Sequence, residues 1–310
     1  MSQIVEGELK VRDTSHWNGP LTDVQAFVDN QNRGLILKAT QGLWTDPQFE
    51  YNGWQALDNG IPLGAYCYLD PRYGGEAQAV YFRNVCRDVF GLDKFKLGNW
   101  QDCEEPGLSV KQMRDAMFTS RDLFVLTGMY TNPGSLNPYG VLEWLSDFYL
   151  WNANWPYYPE YEHKPPLTQS PYIPYTWSKT GREDKCVLWQ YEGQPNNEAK
   201  SNGFVHAHHL DRGRFIKNMR AGTAQEFAEF FGLDSAEPPK PTIPDCIVVT
   251  SRRLSMRVIP TIRNNTPFAQ AFEGSQWLTA GEVAVDEYDR QWIKIKCPTA
   301  WIARWLTKNL

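Results

Sequence analysis

No Cys-x-x-Cys pair occurs among the six cysteines, Cys67, Cys86, Cys103, Cys186, Cys246 and Cys297. Structural zinc sites need such closely spaced thiolates, so the spacing argues against one. No run of 18 apolar residues exists, which excludes an ordinary membrane-spanning helix and membrane insertion by that route. The opening segment, MSQIVEGELKVRD, lacks the apolar core of a signal peptide. The expectation is synthesis in the cytoplasm without an export signal of its own, with thiols reduced and mostly buried. Histidine is sparse, at five residues. His206, His208 and His209 stand beside Asp211, and on a strand His206 and His208 would share a face. No further ligand set accompanies them, so exposed or structural histidines are expected, with no metal and no other cofactor. Long internal repeats are also missing.

Strong charge of either sign is absent as well. The net charge is -5; residues 241–310 carry nine Lys+Arg against six Asp+Glu, and the remainder carries 22 against 30. An acidic larger part argues against a nucleic-acid partner, and a tail of net charge +3 is only weakly basic. What the chain has in plenty is aromatic residues: 14%, including 13 Trp and 15 Tyr. Such rings build cores, and when exposed they stack on the C–H faces of pyranoses. At 310 residues and 42% hydrophobic, the chain can bury one large domain plus a small one, or two medium ones.

The apolar patterning alternates through the first half. "LTDVQAFVDNQN" reads as a helix with a stripe at Val24, Phe27 and Val28, and "LILK" as a buried strand. In "DPQFEYNGWQALDNGI", Asp46 caps a helix, Pro47 takes its first position and Gly60 closes it. "PLGAYCYLDP", "KLGNWQDCEE" and "VLTGMYTN" follow as strands, separated by the helices "GEAQAVYFRNVCRDVFG" and "SVKQMRDAMFTSRDLF". Strands alternating with helices of this length predict βα units and parallel pairing. Beyond residue 150 the rhythm breaks into Trp-, Tyr- and Pro-rich sequence, followed by the strand-like runs "CVLWQY" and "FVHAHHL". The fold class read from this is α/β: an irregular, TIM-like β/α barrel whose last strands lack helices. "GTAQEFAEFFGL" is an amphipathic helix and "DSAEPPKPTIPD" a stiff linker. Short alternating pieces from "CIVVTS" onward predict a small all-β module. The division is a barrel over 1–220, a helix and linker over 221–244, and the module over 245–310.

The chemistry concentrates at strand ends. Residues i and i+2 of a strand share a face, so Asp102 and Glu104 point together while Cys103 and Glu105 point the other way. Barrel enzymes place their sites at the strands' C-terminal ends. Asp13 ends an early strand, in "VRDTSHWNG", and Asp211 follows the last one, in "HHLDRGRF". Carboxylates converging on a mouth lined with Tyr and Trp suit glycosidic bond cleavage, which needs one protonated acid and negative charge near an oxocarbenium-like centre. Crowding keeps one acid protonated near neutrality. A lone Asp-x-Glu equally well ends a strand in water.

The ordered set of motifs resembles the family-25 glycoside hydrolases, muramidases found among phage endolysins and bacterial autolysins, over about residues 9–220. "VRDTSHWNG" is similar to that family's D-x-S-x-W-x-G, on Asp13, Ser15, Trp17 and Gly19. "LILKATQG" is similar to its second strand, with Lys38, Ala39, Thr40 and Gly42. Asp46, Phe49, Asn52, Gly64 and Tyr66 match its D-x-x-F-x-x-N and G-x-Y elements. "QDCEE" falls at its D-x-E, "YTNP" at its Y-T, and "VLWQY" at its W-Q-Y. The resemblance implies Glu104 as general acid. It implies that Asp102 orients the substrate's 2-acetamido group or acts more directly, and that Asp13 and Asp211 hold charge and hydrogen bonds in the cleft. It makes Tyr66, Tyr68, Tyr130, Trp189 and Lys38 sugar contacts; for the rings, core packing is the alternative. Retaining, inverting and substrate-assisted routes all stay open. Three departures stand out: Cys67-Tyr68 where the family has His-Phe, Gln41 where it has Glu, and an aromatic insertion at about 155–182. The tail, with Leu254, Met256, Arg257 and Pro260 and then Trp301 preceded by Ala300, resembles bacterial SH3-like wall-binding modules; the alternative is a β-module serving stability or dimerisation. The implied substrate is bacterial cell-wall peptidoglycan, cut between N-acetylmuramic acid and N-acetylglucosamine after holin-type release or from within a virion. The rival readings are a non-catalytic glycan-binding or virion protein on the same barrel, and an unrelated barrel hydrolase of another amino-sugar polymer.

Overall fold

The computed structural model describes residues 9–155, 173–193 and 198–233, and the backbone of strands within 246–309. Most of the aromatic insertion (156–172) and the Pro-rich linker (234–245) lie outside the described residues. Eight strands close a barrel: β1 (Lys10–Thr14), β2 (Asn32–Gln41), then, past the two-residue β3 (Trp44–Thr45), β4 (Leu63–Tyr68), β5 (Asn99–Asp102), β6 (Thr127–Thr131), β7 (Tyr149–Ala153), β8 (Cys186–Glu192) and β9 (Asp211–Lys217). From β1 to β8 neighbours pair in parallel, whereas β9 runs antiparallel to both β8 and β1 and closes the ring. Helices α1 (Val24–Asp29), α2 (Phe49–Asp58), α3 (Gly75–Phe90) and α4 (Val110–Leu123) follow β1, β2, β4 and β5. Between β6 and β9 the α-helices among the described residues are α5 (Pro133–Leu136) and α6 (Tyr175–Ser178), each a single turn. This is the irregular barrel expected, with regular helices confined to its first half.

Strand alternation sorts the side chains. Leu35, Leu37, Ala39, Ala65, Cys67 and Cys103 point outward into the layer that Phe27, Phe49, Phe82, Met113 and Met117 of the helices fill. Val11, Ile36, Trp100, Trp151, Leu188 and Phe215 form the interior cluster. Helix α7 (Ala224–Phe231) adds Phe227 and Phe231 to that interior cluster. The helix's apolar stripe thus packs against the barrel's interior cluster. Its start is set by a capping box on Thr223 and Glu226.

Four local readings need correction. Helix α1 starts at Val24, later than "LTDVQAFVDNQN" suggests, because Asp23 caps it by accepting from the Ala26 N–H. Helix α2 begins at Phe49, with Gln48 at the cap position, two residues past Asp46; one Asp46 oxygen accepts from the Gln48 N–H and the other serves His16. "YLWNA" is β7, though its surroundings carry no strand signal. The run 204–210 is irregular, and the last strand is the charged "DRGRFIK". Ion pairs hide that strand from a hydropathy reading: Arg212 bridges Glu192 (2.8 Å) and Glu198, and Arg12 on β1 also reaches Glu198 (3.2 Å). Among the described residues, no helix is long and apolar enough to cross a membrane. The strands after residue 245 pair antiparallel, five in the order β16-β15-β14-β11-β17 and two as β12–β13. These are β11 (Cys246–Val249), β12 (Arg253–Met256), β13 (Ala269–Phe272), β14 (Gln276–Val285), β15 (Gln291–Ile295), β16 (Ala300–Ala303) and β17 (Thr307–Asn309). Leu254 and Met256 fall on β12, while Arg257 and Pro260 lie outside the described residues.

Candidate active site

Seven strands direct their C-terminal ends to one rim of the barrel. The antiparallel β9 directs its N-terminal end there, which is why Asp211 opens a strand while Asp13 and Asp102 sit near the ends of theirs. Asp13 and Asp211 are register partners. One cleft at this rim is lined by Asp13, Lys38, Tyr66, Tyr68, Asp102, Glu104, Tyr130 and Asp211, with Trp17, Trp151 and His209 at its sides. All four candidate acids, Lys38 and the three tyrosines thus share one cavity.

Glu104 reaches the cleft because the extended chain continues past β5: the Cys103 N–H donates to the Tyr130 carbonyl (2.9 Å). Asp102 and Glu104 therefore keep the same face and Cys103 packs outward. The Asn132 amide donates to Glu104 Oε2 (3.4 Å), and Asn132 is itself fixed as the cap of α5. The turn after β1 obeys its own motif. Ser15 and Asn18 form a reciprocal capping box, the Asn18 amide donates to the His209 carbonyl (2.7 Å), and Gly19 turns at φ 72° against the His206 ring. A side chain at Gly19 would meet that ring at 2.9 Å.

Gln190 joins the acids. Its Nε2 donates to Asp13 Oδ1 (3.0 Å) and Asp211 Oδ2 (3.4 Å), and its Oε1 accepts from the Tyr130 hydroxyl (2.9 Å) and Trp155 Nε1 (2.8 Å). Its neighbour Trp189, expected as a sugar contact, is not in the cleft. On β8 the inward residue is Gln190, so Trp189 faces out, packs with Tyr191 and Ile216, and donates to the Asn154 carbonyl. Of the two readings for this ring, packing is the one the strand's alternation gives it. Gln190 and Trp151 escaped the sequence reading, although Gln190 stood one position along in the same "VLWQY". Glu105 is also nearer the site than its parity implied. Its carboxylate accepts from the Tyr68 hydroxyl at 2.5 Å, because the chain turns at Pro106-Gly107 directly after it.

Burial dominates the electrostatics. It lifts the Asp13 carboxyl to about 7, with Glu104 adding to the rise and Gln190 opposing it. Burial also raises Asp102 and Asp211 well above the ordinary carboxylate range, with Glu104 acting on the first and Asp13 on the second. Glu104 is raised by burial and by Glu105. Among these acids the Lys38 ammonium is the cation inside the cleft; it donates to Gln41 Oε1 (2.8 Å), lies 4.8 Å from the Tyr68 ring centre and faces Asp102. Burial lowers its pKa while Asp102 opposes the fall. Arg12 behind the floor also acts on Asp13 and Asp211 but is paired with Glu198, so the positive charge here falls short of four carboxylates and favours a retained proton on at least one of them.

This arrangement has a stability signature. An aspartate ionises near pH 4 in the unfolded chain, and Asp13 holds its proton up to about pH 7 in the folded one. The folded state binds the extra proton between those values, so stability falls as pH rises through that window. Ionising a group held at about 7 instead of about 4 costs roughly 4 kcal/mol. Asp13→Asn keeps an acceptor for Gln190 and removes this cost. Its Tm should exceed the parent's at pH 7 by several degrees and converge with it near pH 4. A variant no more stable than the parent at pH 7 would contradict the buried-charge account.

The comparisons agree with this geometry. The model of the glycosyl hydrolases family 25 matches residues 12–199, more than half of the chain. Among solved structures, the bacterial lysozyme from Streptomyces coelicolor is similar at 21% identity and a TM-score of 0.55, over 74% of this chain and 99% of that one. The catalytic domain of endolysin ply40 from bacteriophage P40 of Listeria monocytogenes is similar at 16% and 0.53, over 75% and 100%. A family 25 glycosyl hydrolase from Bacillus anthracis is similar at 17% and 0.53, over 76% and 97%. No curated protein sequence matches. At these identities the solved structures establish the shared barrel, and the family match establishes the membership: the chain belongs to the glycosyl hydrolases of family 25 and is a glycoside hydrolase.

Proposed function

We propose that the protein is a muramidase that hydrolyses the β-1,4 bond between N-acetylmuramic acid and N-acetylglucosamine in bacterial peptidoglycan. The observation that carries the reading is the single cleft in which Asp13, Asp102, Glu104 and Asp211 converge around Lys38, with raised carboxyl pKa values. The names of the similar structures, a lysozyme and an endolysin, support the substrate class.

Glu104 gives its proton to the glycosidic oxygen as the C1–O bond breaks. Burial raises its pKa, which favours the protonated form that a general acid needs. Asp102 Oδ1 is buried and has no hydrogen-bond partner among the described residues. An orphaned buried acceptor is costly, and an acetamido N–H would satisfy it. In the assisted route the acetamido oxygen closes on C1 as the leaving oxygen departs. Water then opens the ring, returning a proton to Glu104. Asp13 and Asp211, tied together by the Gln190 amide, form the hydrogen-bonded acidic floor, and Tyr66, Tyr68, Tyr130 and Lys38 contact the sugar. Release of reducing sugar from purified sacculi tests the reading; intact, unlysed walls under conditions where the protein is folded would count against it.

The strands after residue 245 are assigned the role of an SH3-like wall-binding module. Residues 1–236 should retain activity on soluble glycan and lose it in part on intact walls, because tethering raises local concentration. Equal lysis of intact walls by both forms would remove the targeting role. Action on the wall after holin-type release, or as a virion component, is the setting that this reading assigns.

A further inference from the structure

We propose that His16, Trp17 and Trp44 form a second glycan-binding platform, continuous with the acid-lined cleft, that stacks sugar rings of the substrate strand remote from the bond being cut. The proposal rests on reading the cleft as a glycan-hydrolysing site and extends it along the barrel rim.

Trp17 is 62% exposed and Trp44 46% exposed, in a chain that buries Trp100, Trp177 and Trp189 completely. The His16 ring joins them: its centre lies 4.7 Å from that of Trp17 and 5.2 Å from that of Trp44. On its other side Trp17 stacks against His208 at 6.2 Å and 19°. Exposed rings grouped in this way form an apolar surface that needs a partner.

The platform is built, not accidental. The His16 backbone N–H (3.0 Å) donates to Asp46 Oδ2, and His16 Nδ1 lies 2.8 Å from the same oxygen; Asp46 Oδ1 accepts from Gln48 N–H (2.9 Å). The Asp46 side chain is fully buried, whereas that of His16 is 26% exposed. With Nδ1 committed to the carboxylate, Nε2 is directed away from it, where it can bond a sugar hydroxyl. Trp44 is placed by the β2–β3 hairpin, in register with Gln41. Gln41 in turn holds Lys38 of the cleft, and Trp17 itself lines the cleft. The rings thus run outward from the acids without a break.

That continuity names the occupant. Two flat apolar faces flanking one polar ring nitrogen match pyranoses, which present C–H faces above and below and hydroxyls at their edges. A strand threaded past Glu104 must leave the cleft over some part of the rim, and this part offers stacking.

The test separates the platform from the catalytic reading. Glycan strands of short and long defined length are titrated into Glu104→Gln protein, with and without Trp44→Ala, and the same strands are assayed for cleavage in the parent and in Trp44→Ala alone. Trp44 is exposed and outside the catalytic set, so its loss should leave Tm unchanged. Long strands should bind about tenfold more weakly to the Ala variant and show a KM raised by about that factor, with kcat unaltered, while short strands show no change. Trp44→Tyr should restore most of the affinity. Equal affinity for long strands with and without Trp44, or an equal loss for short and long, would overturn the platform. If long strands bind in a Trp44-dependent way but no strand is cleaved by the parent, the platform stands and the hydrolytic reading falls.

Discussion

Glu104→Gln should lower kcat on glycan by about 10² to 10⁴ while leaving fold and substrate binding intact. The amide is nearly isosteric and still faces Asn132, whose own position is set by the cap of α5. What it cannot do is release a proton to the leaving oxygen. The folded variant should also lose the part of the pH dependence that reports a protonated acid. Burial and Glu105 hold the Glu104 carboxyl up, so the parent's activity should fall on the alkaline side as that proton is lost. A variant that lyses walls at the parent rate would move the acid elsewhere; Asp13, held up to about 7 by burial, would be the next candidate.

Asp102→Asn should cost about 10² to 10³ in kcat with little change in KM, the pattern of an interaction made mainly in the transition state. Asp102 is buried beside Lys38, and its Oδ1 is unpartnered among the described residues. Positive charge developing on the sugar ring or its acetamido group supplies what that carboxylate lacks in the free protein. A neutral amide cannot answer that charge, although it can still accept a hydrogen bond. If the loss appeared in KM alone, Asp102 would be a ground-state contact and its assigned role would be wrong.

The barrel was legible where hydrophobic periodicity was strong. The strands around Ile36, Tyr66 and Trp100 alternate cleanly between helix-facing and interior residues, and amphipathic helices follow them. It was illegible where other forces replaced hydropathy. In "DRGRFIK" the charge of Arg212 is matched by Glu192 and Glu198, so a strand inside the barrel wall reads as surface. The Asp46 carboxylate looks like a helix cap in sequence; one oxygen does accept from the Gln48 N–H at the turn into α2, but the other serves His16, a partner 30 residues away. The acids were legible because strand parity and barrel geometry bring them to one rim. The antiparallel entry of β9 then explains Asp211, which opens its strand. The resemblance put Trp189 among the sugar contacts, and in "VLWQY" every neighbour is buried, so the sequence carries no signal of which face is inward. The amide that ties Asp13 to Asp211 therefore stayed unread until Gln190 was placed. Trp17 and Trp44 were visible as residues; their joining through His16 requires the fold.

The chemical identity of the new sugar ends is the most direct test of the central claim. Purified peptidoglycan is digested with the full chain, reduced with borohydride and analysed by mass spectrometry. A muramidase leaves N-acetylmuramic acid at each new reducing end, so muramitol should accumulate with digestion time in the parent and be lost in Glu104→Gln. Accumulation of glucosaminitol, or no new reducing end at all from folded protein, would contradict the account.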